Sequence, residues 1–190
     1  MKKYSIVIIA LLSTMVLAQI AWKSYTVPDY GITLSYPTNL PAHKTFTKSY
    51  LLNDAWSVNA NSVNSAQQHS LYEIVLANKA GTSGELGQYY YHSYLRVGAS
   101  TEPDDLNKCL SENLLFTHKK SIGNGAYEFT FSDASMSQYL SGRAYRYKKA
   151  NICLSVEWIE TGTKGNATLN QERNNVDNLA KQLINKLIMQ

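Results

Sequence analysis

NICLSVEWIET, residues 151–161, is the stretch whose reading decides the fold. Its alternation sets Ile152, Leu154, Val156 and Trp158 on one face and Cys153, Ser155, Glu157 and Ile159 on the other, the period of a β-strand. We read it as an inner strand of an antiparallel sheet. Cys153 ties it to a helix that carries Cys109.

Working outward, residues 138–148 form a second strand, joined to the first by a tight turn near Lys149 and Ala150. Residues 126–132 form a third, with Tyr127, Phe129 and Phe131 on one face, after a turn at Ile122-Gly123-Asn124-Gly125. Downstream, Thr168 and Gln171 have capping-box spacing. Val176, Leu179, Ala180, Leu183, Ile184, Leu187 and Ile188 then draw one apolar helical stripe, which needs a sheet to cover. Upstream, Thr101-Glu102-Pro103-Asp104 reads as a capped helix start, with Thr101 accepting from the backbone at Asp104. Leu106, Cys109, Leu110, Asn113 and Leu114 follow at helical spacing, so Cys109 falls on a buried stripe.

Residues 71–77 and the aromatic run QYYYHSYLRV, residues 88–97, are strands, and the glycine-rich residues 80–87 connect them. Residues 46–52 and 55–60 are short strand candidates around Asn53-Asp54, followed by a polar loop over residues 59–68. YTVPDYGITLSYP, residues 25–37, reads as a β-hairpin. Pro28 presets the turn, Gly31 relieves it, and Pro37 ends the second strand.

The chain begins with Lys2 and Lys3, an apolar run through Leu12, and Val16-Leu17-Ala18, the pattern of a signal peptide cleaved after Ala18, with Ala21 as second choice. Residues 4–18 fall short of the roughly 20 apolar residues that span a bilayer. Residues 19–190 then form one exported domain. Loss of Lys2 and Lys3 takes the net charge from +4 to +2. Apart from residues 143–149 the basic residues are scattered, so no nucleic-acid partner is expected, nor stable membrane insertion after signal removal. Two cysteines in an exported domain point to one disulfide, Cys109–Cys153, closing a loop worth on the order of 4 kcal/mol. Two buried free thiols are the alternative.

The hairpin YTVPDYGITLSYP, with its aromatic-proline step Tyr36-Pro37, and the long C-terminal helix resemble the Mog1/PsbP-like superfamily. That resemblance implies an α+β chain whose antiparallel sheet has helices packed on its faces, an α/β/α sandwich, in a binding, accessory or assembly factor. It brings no catalytic residues. A cystatin-like or NTF2-like cone is the competing assignment.

The chemistry-bearing residues form no known motif. His43, His69, His92 and His118 lie in four segments without HExxH or HxH spacing, and GxSxG, SxxK, P-loop and GxGxxG patterns are absent. No metal site and no cofactor are expected. Of Glu73, Glu128, Asp133 and Glu157, only Glu157 falls on the inner strand, where it meets solvent or pairs with Arg143 or Arg146. The unusual feature is 14 tyrosines in 190 residues. Tyr89, Tyr90, Tyr91 and Tyr94 crowd one strand; Tyr139, Tyr145 and Tyr147 interleave with Arg143, Arg146, Lys148 and Lys149 on another. Tyr89, Tyr91, Arg143, Tyr145, Arg146 and Tyr147 are therefore the candidate contact surface for a protein, peptide or glycan in the cell envelope or outside the cell. The ordinary alternative packs half of the tyrosines under helices. The competing function is a small secreted hydrolase using histidine and carboxylate chemistry near His92, itself expected to be half-buried.

Overall fold

The computed structural model describes residues 21–43, 70–83, 87–111, 116–135, 137–163 and 168–188. The expected signal peptide, the strand candidates within residues 46–60 and the polar loop over residues 59–68 lie outside these residues. In chain order the elements are β1 (Trp22–Val27), a 3₁₀ turn (Pro28–Tyr30), β2 (Ile32–Pro37), β3 (Ala42–His43), β4 (Ser70–Ser83), β5 (Gly87–Ser100), α1 (Pro103–Lys108), β6 (Phe116–Gly123), β7 (Ala126–Ser135), β8 (Gln138–Lys149), β9 (Ile152–Thr163) and α2 (Thr168–Ile188). The class is α+β. Seven strands join in the order β3-β4-β5-β9-β8-β7-β6, every pair antiparallel, and β1-β2 form a separate hairpin.

The inner position of β9 is as the alternation requires, between β5 and β8. Val156 and Trp158 alternate with Cys153, Ser155, Glu157 and Ile159, and all are buried. On the tryptophan face, Val156 and Trp158 share one core cluster with Ile74, Leu95 and Val97 of the sheet and with Val176, Ala180, Leu183, Ile184 and Leu187 of α2. On the cysteine face, Cys153 is bonded to Cys109, with an S–S distance of 2.04 Å.

The hairpin turn works as its residues dictate. Gly31 sits at φ 63° and its N–H donates to Pro28 O at 3.2 Å. Asn124 and Gly125 both have positive φ, 51° and 76°, the two-residue turn that suits the twist of paired strands. Three glycines lie directly opposite aromatic residues, and a Cβ on any of them would crowd its partner: Gly81 opposite Tyr89, Gly142 opposite Phe131 and Gly162 opposite Tyr139.

Several expectations need correction. Residues 80–83 continue β4 rather than forming a connection, because their backbone pairs in register with residues 87–90. β6 is a strand that no sequence pattern announces: its lysine-bearing sequence FTHKKSIG lacks apolar alternation, which suits its place at the sheet edge. Thr101 does not cap α1. The N-cap is Glu102, without a side-chain cap bond, and the Glu102 N–H donates instead to Ser100 Oγ at 3.1 Å. α1 ends at Lys108, so Cys109 caps it, fully buried, rather than lying in mid-helix.

Candidate binding face

The pairing of β8 with β9 sets Tyr139 opposite Gly162, Ser141 opposite Glu160, Arg143 opposite Trp158, Tyr145 opposite Val156 and Tyr147 opposite Leu154. These five β8 residues therefore belong to the tryptophan face. β7 continues the same rows with Ser132, Thr130, Glu128 and Ala126. On this face Tyr91, Leu95 and Val97 of β5 are fully buried, whereas all five β8 residues are half-exposed. The face opens as it passes from β5 to β8.

Arg143 is fixed at the centre of the open part. Its Nη1 lies 3.9 Å from Glu128 Oε1, and its guanidinium stands 5.9 Å above the Trp158 ring. Burial lowers its proton affinity, but a hydrogen bond with Tyr145 and the charges of Glu128 and Asp177 outweigh that and hold it above the ordinary arginine range. The Tyr145 phenol is pushed up to about 12, first by burial and then by Glu128, against the opposing pull of Arg143. Tyr139 packs over Gly162, where an added Cβ would lie 3.0 Å from its hydroxyl, and the Arg173 guanidinium of α2 stands 4.9 Å from its ring. Beneath it Tyr91 Oη donates to Glu160 Oε1 at 2.5 Å. Burial raises Glu160, against Tyr91 and Arg173, and burial likewise raises Tyr139 and Tyr91. Phenols raised in this way stay protonated at neutral pH. They can donate hydrogen bonds and offer ring faces, around a guanidinium held in one place.

The six sequence candidates separate. Arg143, Tyr145 and Tyr147 come together on the open face. Tyr89 is half-buried against the core cluster, its ring over Gly81. Tyr91, at 0% exposure, and Arg146, at 1%, are buried and cannot belong to a contact surface. Arg146 also alternates to the opposite face. Sequence reasoning did not join Glu128, Ser141, Arg173 or Asp177 to the site. The available signal for the last two was their position one turn apart beside the apolar stripe at Val176 and Ala180.

The cysteine face carries a second constellation. Glu73, Arg96 and Glu157 are register neighbours across β4, β5 and β9, and Arg146 pairs with Ser155 one step along. All four charged side chains are buried. Arg96 Nε lies 2.5 Å from Glu73 Oε2, and Arg146 Nη2 lies 3.8 Å from Glu157 Oε1. Ser155 Oγ donates to Glu157 Oε1 at 2.9 Å, and Glu157 Oε2 is buried without a hydrogen-bond partner. Burial pushes the Glu157 carboxyl up to about 8, against the pull of Arg146, Ser155 and Arg96. Solvent exposure for Glu157 is thus overturned, while its pairing with Arg146 is present.

His92 is half-exposed between Tyr90 and Tyr94, with ring centroids 5.2 and 6.2 Å away. Its register neighbours are Asn78 and Thr161. Glu73 and Glu157 sit two same-face rows further on, roughly 13 Å along the strands, so the register brings neither carboxylate beside this histidine. Among the described residues no group of three or more His, Cys, Asp or Glu is placed to hold a metal ion. No described helix is long and apolar enough to cross a membrane. Compared with protein families, with curated proteins and with solved structures, the chain matches none.

Proposed function

We propose that this chain is an exported binding or accessory protein that engages a protein, peptide or glycan of the cell envelope through the open part of its tryptophan face. Residues 1–18 direct export, and residues 19–190 form an α/β/α sandwich of the kind that the Mog1/PsbP-like resemblance implies. In that arrangement α2 covers Leu95 and Trp158, and α1 covers Cys153. The Cys109–Cys153 disulfide is compatible with an oxidising compartment.

One observation carries the reading: Tyr139, Arg143, Tyr145 and Tyr147 alternate half-exposed on a single face, with Arg143 braced by Glu128, Tyr145 and the Trp158 ring. Aromatic residues and arginine are the side chains enriched at protein contact surfaces. The test is affinity capture from envelope extract and culture fluid with residues 19–190, wild type against Arg143→Ala/Tyr147→Ala. The reading expects at least one wild-type partner to be lost from the variant. Identical partners at identical yield overturn it.

A further inference from the structure

One end of the cysteine face is built from small residues. Gly98 pairs with Ser155 and Ser100 with Cys153. Such side chains leave a depression, yet Ser100, Ser155 and Cys153 are each 0% exposed, so the depression is filled. Residues 101–111, which carry α1, reach it from four strands. Ser100 Oγ of β5 donates to Asp105 Oδ2 at 2.5 Å, and Cys153 of β9 is bonded to Cys109. Lys148 Nζ of β8 donates to Leu106 O at 2.9 Å, and Lys119 Nζ of β6 to Leu110 O at 2.5 Å. Arg146, 1% exposed, lies in the field of Asp105.

α1 has little of its own to hold it there. It has six residues, no side-chain N-cap and no buried side chain, well short of the roughly 12–15 residues at which an isolated helix becomes even marginal in water. Cys109 is the one fully buried residue among residues 101–111. We infer that α1 is a disulfide-latched cover: the Cys109–Cys153 bond holds it over Arg146, and reduction of that bond releases the cover while the sheet and α2 stay folded. The step balances as thiol–disulfide exchange. A dithiol gives two electrons and two protons, the S–S bond breaks to two thiols, and the dithiol becomes a cyclic disulfide. Closure is the reverse, with a protein or small-molecule disulfide as oxidant.

The test treats the folded, purified protein, oxidised or reduced with dithiothreitol, with phenylglyoxal and locates adducts by mass spectrometry. Arg146 adduct formation should rise at least about tenfold on reduction, equivalent to a local opening of about 1.4 kcal/mol. Arg143 should react in both states, and the amides of Ala180 and Leu183 should keep their slow exchange. Cys109→Ser/Cys153→Ser should reproduce the Arg146 reactivity without reductant. Arg146 remaining unreactive in the reduced, folded protein overturns the inference. So does loss of protection in α2 together with Arg146 exposure, since the whole domain would then have unfolded.

Discussion

At the centre of β9 both faces are buried, by opposite chemistry. On one, Val156 and Trp158 are 1% and 4% exposed among apolar side chains of β4, β5 and α2. There burial itself stabilises, at about 25 cal/mol per Å² of apolar surface. On the other, Glu157 is 0% exposed beside Arg146 at 1%. There burial costs free energy, and pairing with Arg146, Ser155 and Arg96 offsets part of it. A face of the first kind closes without help and, where its cover runs out at β8, becomes a half-open tyrosine and arginine surface. A face of the second kind gains less from closing, and a covalent bond holds its cover.

The largest effects should come from breaking each face at its centre. At pH 9, above the point where folded Glu157 loses its proton, Arg146→Ala leaves a buried carboxylate without its arginine partner and should destabilise by about 3–5 kcal/mol in denaturant titration. Replacing the pair together, Arg146→Met/Glu157→Leu, should be neutral or stabilising, because volume is kept and both desolvation penalties vanish. If the double replacement is as damaging as the single one, the pair contributes more than it costs and the contrast between faces fails. On the tryptophan face Leu183→Ala, at a site 0% exposed, should cost about 2–5 kcal/mol with no compensating partner substitution.

Gly142→Ala probes the tight seating of β8 between β7 and β9. Its new Cβ would press on the Trp158 backbone carbonyl and the Phe131 ring, so a loss of about 1–3 kcal/mol is expected from thermal unfolding. Glu157 gives a smaller, pH-dependent signal. Folded Glu157 keeps its proton up to about 8, whereas the unfolded chain releases it in the ordinary carboxylate range. Stability contributed by this group is therefore present below that range, falls as pH rises through it, and levels off above about 8. Glu157→Gln should remove the fall, so the variant gains on the wild type between pH 5 and pH 8. Parallel Tm curves would contradict this. Smallest of all, Arg143→Ala should change stability by no more than about 1 kcal/mol, since its ion pair is partly exposed.

How much of this the sequence carried depends on the kind of signal. Strand period was legible in NICLSVEWIET because both of its faces are filled, and the disulfide followed from two cysteines on elements that meet. The hairpin turn was legible in Pro28 and Gly31, whose backbone preferences are local. β6 was not legible, since an edge strand with Lys119 and Lys120 has no apolar alternation to display. The six candidate residues divide between two faces for a related reason. Tyr145 and Arg146 are neighbours in sequence, but alternation sends them to opposite faces, so a cluster along the chain divides in space. Arg96 beside Leu95 and Val97 was the available sign of a buried charge row; its partners Glu73 and Glu157 lie on two other strands, which only the register brings together.

The reading of the tryptophan face as the contact surface is tested most directly by site-specific photo-cross-linking. Benzoylphenylalanine placed at Tyr147, on the open rows, is compared with the same probe at Asn78, exposed on β4. Cross-linking is carried out in cells expressing the full chain. The account predicts a discrete adduct from position 147 that disappears with Arg143→Ala, and none from position 78. Adducts from position 78 alone, equal adducts from both positions, or no adduct from position 147 would contradict it.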